Sequence, residues 1–193
     1  MRRQLVLGST SRYRAELLRR LSLEFELKAP GTIESTCAGE PPAARAMRLA
    51  TAKAIDASAG LHDALVIGSD QVAELDGVLL DKPGSVERAR AQLKACSGHA
   101  VNFHTALCVF DTRSRRQHTH LDLTRVHFRP LSPEEIVRYV EREQPLDCAG
   151  SFKCESLGIS LFHRIETHDP TALVGLPLIA LAQLLREAGI EVP

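Results

Sequence analysis

The residues of this chain that could do chemistry collect at polar junctions between apolar runs. Gly8-Ser9-Thr10-Ser11 closes the short run Gln4–Leu7 and precedes Arg14. If a helix opens just after it, the turn offers backbone N–H groups, the Ser9 and Ser11 hydroxyls and the positive end of a helix dipole. Arg14, one turn in, would fork onto a phosphate. The same residues would equally make a plain serine N-cap followed by an exposed arginine. Neither GxxxxGK[ST] nor GxGxxG occurs, so any phosphate held here is held without the common fingerprints.

Asp70 follows the compact apolar run Ala64-Leu65-Val66-Ile67 and the pair Gly68-Ser69. A buried strand stopping there puts a carboxylate at the ligand-side edge of an open α/β sheet, able to hold a hard cation or orient water; an Asp after Gly-Ser is also an ordinary turn former. Glu34, in the breaker-rich stretch from Pro30 to Pro42, is a candidate second oxygen ligand, and Glu40 lies in the same stretch. Five lysines stand against nineteen arginines, and Lys53, Lys82 and Lys153 all fall in or beside polar junctions. A compact ammonium suits a site that needs point charges against phosphate oxygens; ordinary surface lysines are the alternative. His118 and His120 share one face of a predicted strand, but with no third ligand beside them they read as exposed strand residues.

These junctions need elements to hold them. Gln4 to Gly8 reads as a strand, Arg12 to Leu21 as a helix with apolar residues at Ala15, Leu17, Leu18 and Leu21, and Phe25 to Ala29 as a second strand. Ala43 to Ala59 is a helix. Gln71–Leu75 and Val78–Leu80 flank Asp76-Gly77, the strongest two-residue hairpin signal, and after the turn Asp81-Lys82-Pro83-Gly84, Ser85 caps a helix to about Cys96. Val101–Phe110 and Gln117–Phe128 make an extended antiparallel ribbon. Ser132-Pro133-Glu134-Glu135 combines an N-cap, a proline at the first helical position and a capping box ahead of a helix to about Glu143. After the Gly-containing loop CAGSFKCE, Leu157 to Ile165 reads as a strand and Leu178 to Glu187 as a closing helix ended by Gly189. This order implies an α/β fold with a mixed, twisted sheet, because the hairpin and ribbon demand antiparallel neighbours.

Composition narrows the partners. With 193 residues, 44% of them apolar, the chain can bury a core as one domain or two small lobes. Zero formal net charge and six Phe, two Tyr and no Trp give neither the electrostatic footprint nor the stacking platforms of a nucleic-acid binder, so any polyanion bound is small. The basic start MRRQLVLGSTSR has too short an apolar stretch for a secretory leader, and the longest greasy segment, Ala172 to Leu185, falls below the roughly 18 residues of a membrane span. Five cysteines without C-x-x-C spacing read as reduced thiols of a cytoplasmic protein.

GSTSRYR, GSDQ, DKP and AGSFKCESLGI, in that order and followed by LVGLPLIAL, resemble the motifs of the Maf-like nucleoside triphosphate pyrophosphatases over nearly the whole chain. The resemblance implies one Maf-like domain over residues 1–193, built of two lobes with a central nucleotide cleft and similar to the inosine triphosphate pyrophosphatase fold. It implies cleavage of a nucleoside triphosphate between its α and β phosphates with a divalent cation, Mg²⁺ or Mn²⁺. Asp70 matches the family's catalytic base and metal site, Lys82 and Lys53 match basic residues facing the triphosphate, and Ser9, Ser11 and Arg14 match its phosphate-binding turn. Lys153 would add a fourth cation. Glu34 matches an acidic metal-site residue, although the family usually has Asp before it where this chain has Ile33, which keeps Glu40 open as the second carboxylate.

Tyr13, Gln71 and Glu155 are similar to the branch of that family acting on 7-methyl-GTP, where Trp usually stands at the Tyr13 position. N7-methylation makes guanine cationic, and a cationic base gains from an aromatic face and a carboxylate. The alternatives carried forward are the same chemistry on dTTP, UTP or other nucleotides, and a non-catalytic nucleotide-binding regulator of septum formation. The resemblance also allows a homodimer, and gives no nucleic-acid polymer or membrane as partner.

Overall fold

The computed structural model describes residues 3–192. The strands are β1 (Gln4–Leu7), β2 (Glu26–Leu27), β3 (Ala64–Leu75), β4 (Val78–Leu79), β5 (Ala100–Asp111), β6 (Gln117–Phe128) and β7 (Phe162–Glu166). The α-helices are α1 (Arg12–Arg19), α2 (Pro42–Ala57), α3 (Val86–Cys96), α4 (Pro133–Glu143) and α5 (Leu178–Glu187). The strands form a seven-stranded sheet in the order β2-β1-β3-β5-β6-β7, with β4 paired to β3. It is mixed, as expected: β1 runs parallel to β2 and β3, while β3–β4 and β6–β7 are antiparallel. The chain divides into two compact units, one of residues 1–71, 105–122 and 169–193, the other of residues 72–104 and 123–168.

In the first unit both faces of the sheet are covered, which is why its strands read as near-continuous apolar runs. Strand parity sorts the residues. Leu5, Leu7, Leu65, Ile67, Leu107 and Val109 pack with Leu17, Leu18, Leu181 and Leu185 of α1 and α5. Their neighbours Val6, Ala64, Val66, Cys108 and Phe110 pack with Ala54 and Ala57 of α2. In the second unit Phe103, Phe128, Phe152 and Phe162 make edge-to-face pairs with ring centroids 4.8–5.6 Å apart. There the predicted capping box is formed in full, Ser132 Oγ accepting from Glu135 N while Glu135 accepts from Ser132 N.

Four expectations are corrected. Gly68-Ser69 does not end a strand, and Gln71–Leu75 is not a separate one: β3 runs unbroken through them, so Asp70 lies inside it rather than at its tip. The glycine there serves packing. A Cβ on Gly68 would sit 2.6 Å from Ala54 N, and one on Gly8 would sit 2.8 Å from Ala57 Cβ, so both glycines let α2 lie close on the sheet. Asp70 is nonetheless three residues past the last pairing with β1, Leu7 with Ile67, so it does lie beyond the end of the parallel ladder. The segment read as a strand from Leu157 begins as a 3-10 turn, Leu157–Leu161, and extends only from Phe162. The second strand is shorter than Phe25–Ala29. His118 and His120 are half-buried, with His118 Nδ1 3.9 Å from Glu187, rather than exposed. All five cysteines are free. Among the described residues no helix is long and apolar enough to cross a membrane.

Candidate active site

The parity that builds the core also aims the polar residues of β3. Gly68 and Asp70 share the α2 face with Val66, whereas Ser69 and Gln71 share the opposite face with Ile67. On the α2 side the close approach permitted by Gly8 and Gly68 brings Lys53 Nζ to 2.6 Å from Asp70 Oδ1, both side chains buried. The same ammonium is 2.6 Å from Glu34 Oε1, contributed by the loop before α2. Lys53 thus stands between two carboxylates. Glu40 is engaged elsewhere: both its oxygens accept from Arg48, at 2.6 Å each, so the structure places Glu34 and not Glu40 beside Asp70's partner.

Arg14 is less exposed than a plain N-cap arginine would be. Burial lowers its pKa, and the charges of Asp70 and Glu34 oppose that shift. Its Nε donates to Gly175 O at 2.9 Å. Ser11 caps α1 as expected, its Oγ accepting from Arg14 N, and Ser9 Oγ accepts from Ser11 N at 3.1 Å, so the turn after β1 is stiffened by the two hydroxyls singled out in it. Burial pushes the Asp70 carboxyl above its ordinary range, and Glu34 adds to that rise, against the pull of Lys53 and Arg14. A carboxylate with one strong donor and a raised pKa can take up a proton more readily than a surface aspartate.

On the other face Ser69 Oγ lies 2.8 Å from Gly175 O and 2.9 Å from Ala106 O. Gln71 Nε2 donates to Thr105 Oγ1, Ala172 O and Leu173 O at 2.9–3.1 Å. Tyr13 is half-buried, with the Arg12 guanidinium 4.8 Å over its ring and Arg12 donating to its hydroxyl at 2.8 Å. One face of that ring already carries a cation.

The remaining candidates belong to the second unit. Lys82 is exposed, on a turn anchored by Gly84 N donating to Leu146 O at 3.0 Å and Gln92 donating to Asp81 O at 2.9 Å. Lys153 Nζ donates to Glu143 O at 3.2 Å, at the negative end of α4, with the Glu143 carboxylate 3.7 Å away. Glu155 is exposed. Sequence reading missed the buried Asp169 with Thr171, and the Glu40–Arg48 pair; an acid followed two residues later by Thr, ahead of a helix whose N-cap is proline, was the available signal for the first.

The architecture is that of a known group of structures. A HAM1 protein from Coxiella burnetii matches with a TM-score of 0.53 at 16% identity, covering 96% of this chain and all of that one. The Ham1 protein of Staphylococcus aureus matches with a TM-score of 0.52 at 15% identity, covering 97% of this chain and all of its own. That likeness establishes the mixed α/β fold expected from the motifs. Residues 4–188 match the family described as Maf-like protein, and the chain belongs to that family. A 7-methyl-GTP pyrophosphatase from Xanthomonas oryzae pv. oryzae is 57% identical over 190 residues, 98% of this chain and 99% of that protein. Proteins of the same name from Thiobacillus denitrificans (97% of this chain, 94% of its own) and Burkholderia thailandensis (96% and 88%) are 52% and 51% identical.

Proposed function

We propose that this protein hydrolyses 7-methyl-GTP to 7-methyl-GMP and pyrophosphate. The observation that carries the reading is the buried Asp70 carboxylate, held by Lys53 and within the electrostatic reach of the half-buried Arg14, in a chain 57% identical along its length to a protein bearing that activity's name. Water attacks the α-phosphorus, the bond from that phosphorus to the bridging oxygen breaks, pyrophosphate leaves, and Asp70 takes the proton of the water. Lys53 keeps Asp70 ionised and fixes its direction, while burial raises its basicity toward the range useful in neutral solution. Ser9, Ser11 and Arg14 bind phosphate oxygens at the turn that opens α1.

The donor set fits a hard divalent cation such as Mg²⁺ or Mn²⁺. Asp70 and Glu34 offer carboxylate oxygens on either side of Lys53, and such ions commonly take one or two carboxylates with phosphate oxygens and water. When bound, the cation neutralises phosphate charge that builds up in the transition state. On motif grounds Lys82 and Lys153 serve the phosphates, with Lys82 counted as catalytic, and Tyr13, Gln71 and Glu155 select the base. The same reading gives a cytoplasmic enzyme and allows a homodimer, which light scattering of the purified protein would test.

Pyrophosphate release from 7-methyl-GTP, GTP, dTTP and UTP with Mg²⁺ or Mn²⁺ tests the proposal. The expected result is fastest turnover of 7-methyl-GTP. Equal rates on all four overturn the substrate assignment, and binding without turnover of any of them overturns the enzyme.

A further inference from the structure

The loop after β7 ends in a buried acid that the reaction as described leaves unused. Helix α5 begins after Pro177, whose side chain gives no cap, so its first N–H groups need acceptors from outside. They find them seven to ten residues earlier. Leu178 N donates to Thr171 Oγ1 at 2.8 Å and Ile179 N to Asp169 Oδ2 at 2.7 Å. Asp169 Oδ1 in turn accepts from Thr171 Oγ1 at 2.6 Å and Thr171 N at 2.9 Å. Asp169 is 3% exposed, so these bonds form away from competing water. The segment from Asp169 to Ile179 is therefore pinned at both ends by one carboxylate.

What that segment presents is a row of carbonyls. Gly175 O, at a residue with φ of +113°, accepts from Arg14 Nε. Ala172 O and Leu173 O accept from Gln71 Nε2. Thr105 Oγ1 donates to Ala172 O at 3.0 Å, so it too faces Gln71 as an acceptor. With three acceptors around it, the Gln71 amide must turn its NH₂ toward the loop, which leaves its carbonyl oxygen uncommitted. We infer that Asp169, acting through Thr171, is a positioning residue that aims two side chains at once: Arg14, which holds phosphate, and Gln71, which meets the base. The inference rests on the roles given to Arg14 and Gln71 above. Asp169 touches no reacting atom.

Thr171→Val removes the linking hydroxyl at nearly constant volume, and Thr171→Ser keeps it. Thr171→Val lowers kcat/KM for 7-methyl-GTP about tenfold and narrows its margin over GTP, the scale of one or two lost hydrogen bonds, while Thr171→Ser restores both. In an Arg14→Ala, Gln71→Ala background Thr171→Val costs nothing further; the same fold-loss in both backgrounds marks a purely structural cap and overturns the inference. A second readout needs no turnover. The Arg14 Nε–H resonance, assigned by its loss in Arg14→Lys, exchanges slowly with water in the unmodified protein and in Thr171→Ser, and about tenfold faster in Thr171→Val. Unchanged exchange in Thr171→Val overturns the inference and leaves the enzyme reading untouched. Faster exchange in a protein that turns over no nucleotide upholds the clamp and defeats the enzyme reading. If Thr171→Val does not fold, Asp169→Asn, which keeps the volume and one acceptor oxygen, carries the same expectations.

Discussion

Two places in the first unit are built from the same parts and behave in opposite ways. In one, Arg3 lies between two acids, 2.9 Å from Asp63 and 2.5 Å from Asp111. In the other, Lys53 lies between Glu34 and Asp70, 2.6 Å from each. Asp111 is held well below the ordinary carboxylate range and Asp70 is raised above it. Each acid has a cation, but the balance with burial differs: at Asp111 the Arg3 hydrogen bond outweighs the cost of burial, and at Asp70 the more deeply buried carboxyl loses more than Lys53 returns. Arg113 N at 2.9 Å and Ser114 N at 3.3 Å, in a turn that wraps the carboxylate, add smaller pulls to that of Arg3 on Asp111, whereas desolvation outweighs every favourable contact at Asp70. An acid fully solvated by protein donors is structural; a buried acid short of donors is poised to accept a proton.

Charge removal should separate the two most sharply. Asp70→Asn lowers kcat about 10³-fold, the usual scale for losing a general base, while Asp111→Asn leaves kcat unchanged and lowers the melting temperature instead. A steady-state assay paired with thermal melts reads both, and a slow Asp111→Asn enzyme or a fast Asp70→Asn enzyme breaks the contrast. Next in size is Lys53→Met, which leaves Asp70 buried without its ammonium. Stranding one half of a buried pair costs about 3 kcal/mol, and the loss shrinks in mild acid because Asp70 can then take up a proton. Denaturant titrations at pH 5 and pH 8 measure the difference.

The contrast also depends on how close α2 approaches the sheet. Gly68→Ala places a methyl against Ala54 and forces α2 outward, at about 1–3 kcal/mol of overpacking. Because Lys53 rides on the same helix, activity falls further than stability alone accounts for, whereas the Arg3–Asp111 bonds stay intact. Activity that tracks only the folded fraction contradicts the claim that these glycines set the Lys53–Asp70 distance.

Much of this was legible in the sequence where a local rule acts alone. Ser11, Ser85 and Ser132 each cap the helix they precede, and Asp76-Gly77 turns its hairpin with positive φ at both residues. Asp70, Lys53 and Arg14 stand out by residue type and neighbouring pattern, and the first unit does bring them together. What stayed hidden depends on tertiary contact. Gly68 looks like a strand terminator until α2 is laid against it. Glu40 and Glu34 are indistinguishable six residues apart until Arg48 claims the first. Asp169 does not stand out, because its bonds to Thr171 two residues on are those of any turn-forming Asp, and the one that ties it to the start of α5, from Ile179 N, spans ten residues.

The finest test is the pH dependence of stability, where the two acids should leave opposite slopes on either side of the ordinary carboxylate value of 3.8. Folding lowers the Asp111 pKa, so the native state releases that proton more easily than the unfolded chain. Its contribution is fully present above 3.8 and is lost as pH falls through the depressed value. Folding raises the Asp70 pKa, so the native state holds that proton more tightly. Its contribution is greatest below 3.8 and declines as pH climbs through the raised value, over the window in which turnover rises because the base becomes ionised. A tenfold difference in proton affinity between the folded and unfolded chain is worth about 1.4 kcal/mol. Unfolding free energies measured across pH 2–8 should therefore lose the acid-side slope in Asp111→Asn and the neutral-side slope in Asp70→Asn. If Asp70→Asn leaves the neutral-side slope in place, the buried acid is not the group that titrates there, and the contrast with Asp111 reduces to geometry without electrostatic consequence.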